Sequence, residues 1–390
     1  MRAALLMTVI AASILACTDD GAAIGELGAP LPGLRDVDLA RFRAGLALFD
    51  KVYTPQEGLG PTFNENQCSA CHTRPASGGT SGFERVVKAT RFTPPAACDP
   101  LREEGGANVR RQATPLLQAR GVHGESIPSR ATEVGRFTPP FLFGLGLVEA
   151  IPDERIVAAE DPDDRNNDGI SGRAGRTPAG RVARFGRKAE FATVRGFVES
   201  ALRLEMGLTT PGDTVDALNG KPVPRPVDPA PDPEVNQMSV ELLTAFVRLL
   251  AAPAPLAPVT TAQRDSVAEG RRILTALGCA GCHTPVLRTG TGSDIPALNG
   301  RAVPIYSDLL LHDMGPALAD VCGYTATPAE LRTEPLMGVG RRDRLLHDGR
   351  TDDLREAILA HGGEAQRSRD AFARLSWLRQ EYLVIFLRSR

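Results

Sequence analysis

A mainly α fold in two domains, the first enlarged by long irregular insertions, is what this sequence predicts, and three observations carry that expectation. The pattern Cys-x-x-Cys-His occurs twice in the 390 residues, as Cys68-Ser69-Ala70-Cys71-His72 and as Cys279-Ala280-Gly281-Cys282-His283. Each copy follows a stretch of helical periodicity, Leu39, Phe42, Leu46 and Phe49 before the first and Val267, Gly270, Leu274 and Leu277 before the second, with the same three-four-three spacing. Between the copies, Ala252-Pro253-Ala254-Pro255-Leu256-Ala257-Pro258 is a stiff boundary poor in backbone donors.

In chain order, Arg2 and the apolar run Ala3 to Ala16 read as an export signal over 1–16, too short to span a membrane as a helix. Ile14-Leu15-Ala16-Cys17 resembles a lipobox, which would place a lipid anchor on Cys17; an ordinary cleaved signal is the alternative. Residues 17–36 then form a polar tether, and either reading places the mature protein in the periplasm or otherwise outside the cytoplasm. The first domain runs over 37–251, with Gly/Pro-rich insertions such as Pro222 to Pro233, and the Pro-rich linker over 252–261. The second domain, 262–390, is closed by a helix from Ser368 to Arg390 that packs on the one starting near Thr261. A net charge of −2, from 45 Lys+Arg and 47 Asp+Glu, gives no electrostatic footprint for nucleic acid.

The seven cysteines carry the chemistry. Two thiols three positions apart on one turn reach the two vinyl groups of a single porphyrin as thioethers, and the adjacent histidine is directed at the iron. A bare redox pair would not need that histidine, and a zinc knuckle or a thioredoxin-like motif would also have to explain the export signal, which places the chain where haem is attached. Cys68, Cys71 and His72, and Cys279, Cys282 and His283, therefore predict two covalently bound haem c groups, one per cytochrome c-like domain. The porphyrins would also supply core bulk in a chain with only 5% aromatic residues. Of the remaining cysteines, Cys98 and Cys322 are a plausible disulfide in an oxidising compartment.

His361 ends a segment with acidic residues in its first turn and glycines after its last, and Leu354, Ala357, Ile358 and His361 share one helical face. Such a histidine is either a hydrogen-bonded core residue or a second axial ligand of the haem iron; in a domain that must sheath a haem, the ligand role is the expectation. His347 reads as a hydrogen-bonding neighbour, His312 and Met314 stay ambiguous, and His123 reads as surface. Asp164, Asn166 and Asp168 before Gly169 have the first half of a calcium loop, but Gly175 stands where the closing acid belongs, so an Asx-rich turn competes with a calcium site.

Gly60-Pro61-Thr62-Phe63-Asn64, Phe143-Gly144-Leu145-Gly146-Leu147, Leu311-His312-Asp313-Met314-Gly315 and His361-Gly362-Gly363-Glu364-Ala365 together resemble the dihaem c-type oxidoreductases, a family described as peroxidases or thiol oxidoreductases. More distantly, the layout is similar to the bacterial dihaem cytochrome c peroxidases. That resemblance implies an open, peroxide-reducing N-terminal haem and an electron-transferring C-terminal haem. It makes Glu205, in Glu205-Met206-Gly207, the distal acid, and gives His361 the place where the peroxidases carry methionine or tyrosine. It also implies a small redox protein or quinol-linked electron donor, peroxide as oxidant, and calcium. The inter-haem tryptophan of those enzymes has no counterpart, because the single tryptophan is Trp377. The competing functions are an electron carrier in which Met206 ligates the first iron, and a thiol- or oxygen-dependent oxidoreductase.

Overall fold

The structure, a computed structural model, describes residues 24–81, 86–223 and 227–390. The expected export signal and Cys17 lie outside the described residues. No helix among the described residues is long and apolar enough to cross a membrane.

Helix α1 (Asp36–Phe49) forms where the periodicity places it and buries Phe42, Gly45 and Phe49. The insertion that follows the first Cys-x-x-Cys-His motif builds a small antiparallel sheet. Its long strand β1 (Val86–Thr93) pairs with β2 (Ala97–Asp99), β3 (Asn108–Val109) and β4 (Glu133–Phe137), in registers that include Arg91↔Asp99, Val87↔Val109 and Thr90↔Glu133. Val86, Val87, Thr90, Phe92 and Thr93 in β1 are residue types that suit a pleated, half-buried surface.

Helix α2 (Val194–Met206) starts at Thr193, whose hydroxyl accepts the Gly196 N–H at 3.1 Å, and stops at Gly207 in the left-handed region, φ 71°. Val194, Val198, Leu202 and Met206 form its buried stripe. Helix α3 (Gln237–Leu249), capped by Asn236, packs across α1. The crossing is so close that a Cβ on Gly45 would stand 2.0 Å from the Leu242 carbonyl oxygen. Phe42 and Phe49 flank the same crossing, with ring centroids 5.2 and 4.7 Å from that of Phe246.

The second half repeats the plan. Helix α4 (Thr261–Ala276) opens on a capping box in which Thr260 and Gln263 satisfy each other's backbone N–H. A hairpin of β5 (Leu311–Asp313) and β6 (Glu330–Arg332) pairs His312 with Leu331 and Leu311 with Arg332. Helix α5 (Leu354–Leu359) is capped by Asp353, whose carboxylate accepts the Arg355 and Glu356 N–H groups. The closing segment is two helices and not the expected one, α6 (Gln366–Ala373) and α7 (Trp377–Arg388). Ser376 is extended, φ −60° and ψ 152°, and Gln380 Nε2 donates across the break to the carbonyls of Phe372 and Leu375. Helix α7 crosses α4 at Gly270, where a Cβ would stand 2.1 Å from the Tyr382 carbonyl oxygen, the counterpart of Gly45 against α3.

The expectation of a mainly α fold is overturned: 33% of the structure is helix and 15% is strand, the strands spread over several small sheets. The reason lies in the segments expected to be irregular. Their backbone groups still need partners away from water. They find them in ladders of two to eight residues, most too short for alternation to show in the sequence. Even the end of the expected tether is tied down, since Ile24–Gly25 pairs in parallel with Ala252–Pro253 at the start of the expected linker. The main core gathers side chains of α1, α2 and α3 with Ile295, Leu298, Val303 and Leu309 from the second half, while Ile273, Leu274, Phe372 and Phe386 centre a core among the C-terminal helices.

Candidate functional site

Both Cys-x-x-Cys-His motifs fold into the same local shape. Cys68–Cys71 is one helical turn closed by the His72 N–H on the Cys68 carbonyl at 3.1 Å, and the Cys279–Gly281 turn is closed by the His283 N–H on the Cys279 carbonyl at 2.9 Å. In each, the turn brings the two sulfur-bearing residues onto one side. The one disulfide among the described residues joins Cys98 to Cys322, with Cα atoms 5.8 Å apart, and involves no motif cysteine. Burial pushes the Cys68 thiol up to about 12 and the Cys279 thiol up to about 11. That is the reverse of the low-pKa thiolate a redox pair would use.

Each motif opens onto its own cavity. The first, of about 630 Å³, is lined by Cys68, Cys71 and His72, by Glu205 and Met206 from the end of α2, and by both cysteines of the disulfide. The second, of about 230 Å³, is lined by Cys279, Cys282 and His283, and by Met314, Ala357 and His361. His72 Nδ1 donates to the Gly79 carbonyl at 2.9 Å, His283 Nδ1 to the Tyr306 carbonyl at 2.9 Å and His361 Nδ1 to the Ala357 carbonyl at 2.7 Å. These bonds select the tautomer that leaves Nε2 as an acceptor, the arrangement of a histidine that ligates a metal. Desolvation lowers the pKa of all three rings, that of His283 to about 4, so they are neutral as a ligand must be. Two cavities, each with a Cys-x-x-Cys-His turn and a neutral imidazole, fit two haems.

Glu205 stands at the wall of the first cavity. Its carboxylate accepts from Asn64 Nδ2 at 2.8 Å and from Asn108 Nδ2, while its backbone carbonyl accepts the Asn64 N–H. Burial raises its pKa, and the amide donors of Asn64 and Asn108 and the nearby charges of Lys88 and Arg110 offset only part of the rise. Met206 is buried and ends the apolar stripe of α2. His361 sits two residues beyond α5, on the side of the helix that carries Ala357 and Ile358.

His312, ambiguous in the sequence, is buried between two carboxylates, with Nε2 at 2.9 Å from Asp308 and Nδ1 at 2.7 Å from Glu364. Burial opposes its charge, but Asp308, the Cys282 sulfur and Glu364 overcome that and raise the ring to about 12. His347 faces Asp320 at 2.9 Å, and His123 is exposed. Asp164, Asn166 and Asp168 lie in an exposed turn where each accepts a backbone N–H, from Gly169, Asp168 and Ile170 in turn. Trp377 is 68% exposed on the outer side of α7.

Sequence reasoning missed Asn108, Asp308, Glu364 as a clamp on His312, and a group of buried arginines described below. Asn64 entered only as part of a resemblance. Asn64 and Asn108 reach Glu205 across 141 and 97 residues and Glu364 reaches His312 across 52, so no local signal could have found those pairings, whereas Asp308 stands only four positions before His312.

The two motif-lined cavities define a haem-dependent redox protein. The chain belongs to the di-haem oxidoreductase family: the family model described as "Di-haem oxidoreductase, putative peroxidase" matches residues 129–390, a span that includes Glu205, the second motif and His361. Among solved structures, hydrazine synthase of Kuenenia stuttgartiensis, pressurised with xenon, is similar at a TM-score of 0.43 and 13% identity, over 100% of each chain. No curated protein matches the chain.

Proposed function

We propose that this chain is an exported c-type dihaem peroxidase, in which peroxide is reduced in the cavity of His72 and electrons enter through the cavity of His283 and His361. Covalent haem attachment would run through Cys68 and Cys71 in the first cavity and through Cys279 and Cys282 in the second. When bound, the haems supply the one-electron iron chemistry. Reduction of hydrogen peroxide to two waters takes two electrons and two protons, the electrons coming from a small redox protein or a quinol-linked donor.

The observation that carries the reading is the Glu205 carboxyl on the wall of the cavity that His72 lines. A carboxyl whose pKa is raised by burial is suited to take a proton from one peroxide oxygen and return it to the other. Asn64 and Asn108 hold it in orientation, one on each oxygen. His72, fixed through Gly79, would hold the iron in the first cavity, and His283 with His361 would hold the iron in the second.

In Glu205→Gln the charge and the proton are removed while the shape is kept. The expected result is a fall in peroxide turnover of about 10²–10⁴-fold with both haems still attached; unchanged turnover would remove Glu205 from the mechanism. Met206, lining the same cavity, favours a second reading in which its sulfur closes the first iron and the protein only carries electrons. Uptake of carbon monoxide by the ferrous protein selects the peroxidase, and its absence selects the carrier.

A further inference from the structure

Where the two cavities adjoin, the chain collects more positive charge than it neutralises. Arg187, Arg332 and Arg342 converge on a single carboxylate: Arg187 Nη1 and Arg332 Nη2 lie 2.9 and 2.8 Å from Glu334 Oε2, and Arg342 Nη2 lies 3.0 Å from Oε1. The three guanidinium side chains are only 12%, 8% and 11% exposed. Three cations against one anion leave two positive charges in surplus. Asp308, the next carboxylate to act on Arg332, is already engaged with His312. Charges withdrawn from water in this way cost several kcal/mol each unless they meet counter-charge.

The unmet donors point the same way. Arg187 Nε and Arg342 Nε are buried without a hydrogen-bond partner, whereas Arg332 is pinned by the carbonyls of Gly186 at 3.0 Å and Thr333 at 3.0 Å. Arg187 and Arg332 line both cavities, and Arg342 lines the second. Burial opposes ionisation of Glu334, and the charges of Arg187, Arg342 and Arg332 override it and hold the carboxyl below its usual range. Glu334 is thus a fixed anion that keeps three mutually repelling guanidinium groups together.

We propose that Arg187, Arg332 and Arg342, gathered by Glu334, form one anion cradle that receives propionate carboxylates of the haems in both cavities and couples the two redox sites electrostatically. This rests on the reading that each cavity holds a haem. A guanidinium presents paired N–H donors that match a carboxylate, and in a low-dielectric setting such a pair is strong. Positive charge beside a haem disfavours the ferric state, which carries one more positive charge than the ferrous, so the cradle would raise both midpoint potentials.

The test uses the holoprotein, with haem counted by pyridine haemochrome and both midpoint potentials measured by spectroelectrochemical titration. Wild-type protein with fewer than two haems per chain would defeat the underlying reading before any potential is compared. With two haems present, Arg187→Gln and Arg332→Gln should each lower both potentials, and Arg332→Lys, which keeps the charge, should lower them less. Glu334→Gln removes the anion and keeps the cations, so both potentials should rise, which keeps the proposal testable if an arginine variant fails to fold. Potentials that stay at wild-type values, or a shift confined to one haem, would overturn it.

Discussion

Asn64 Nδ2 donates a hydrogen bond to Glu205 Oε2 at 2.8 Å, tying the segment just ahead of the first cysteine pair to the last turn of α2. The bond favours the ionised carboxylate, against the burial that favours the protonated one. Asn64 therefore helps set the pH at which Glu205 gains and loses its proton.

Replacing Asn64 by Ala removes one donor from that carboxylate. The charged form loses its hydrogen bond, the Glu205 pKa rises further, and the acidic limb of the peroxide-turnover profile moves to higher pH. A pH series of kcat/KM on wild type and Asn64→Ala checks this; an unmoved limb would mean that another group governs it.

The helix crossings make a prediction about stability. At Gly45 and at Gly270 a Cβ would meet a backbone carbonyl oxygen of the opposing helix at 2.0 and 2.1 Å, and a backbone cannot step aside as a flexible side chain can. Gly45→Ala and Gly270→Ala should each force the helices apart and destabilise the chain by about 1–3 kcal/mol or more. Denaturant unfolding measures the loss.

Acid stability should depend on Glu364. Burial opposes its ionisation, but its partners His312, the Asp313 N–H and the Ser171 N–H lower its pKa to about 2 from the ordinary 4.5. A depressed carboxyl stabilises the fold above its unfolded pKa, and that contribution, about 3 kcal/mol, drains away as pH falls from about 4.5 towards 2. Glu364→Gln should be less stable than wild type at pH 6 and should lose less on acidification. Chemical denaturation at pH 6 and pH 3 reads the difference, and equal pH sensitivity in the two proteins would contradict it.

The two Cys-x-x-Cys-His turns and the helices before them were legible in the sequence because they are local. A turn that sets Cys68 beside Cys71 needs only consecutive residues, and the three-four-three spacing of α1 and α4 is read within one helix. The α5 segment, with acidic residues in its first turn and glycines after His361, was legible for the same reason. Gly270 stood in the sequence as one position of a repeat, and only the α4–α7 crossing showed why nothing larger fits there.

What the sequence by itself determined about this protein is its pair of Cys-x-x-Cys-His motifs, two cysteine pairs with adjacent histidines, one in each half. The tertiary structure decided which residues look into which cavity. It placed Glu205 and Met206 with His72, set His361 with His283, joined Cys98 to Cys322, clamped His312 between Asp308 and Glu364, and gathered three arginines on Glu334. It also turned the insertions into short ladders where loops were expected. The physical reason is one of range: covalent and helical geometry act over a few neighbouring residues, whereas the contacts that set Glu205 against Asn64 and Asn108, Glu364 against His312 and Cys98 against Cys322 join partners 52 to 224 positions apart, which only the folded chain brings into contact.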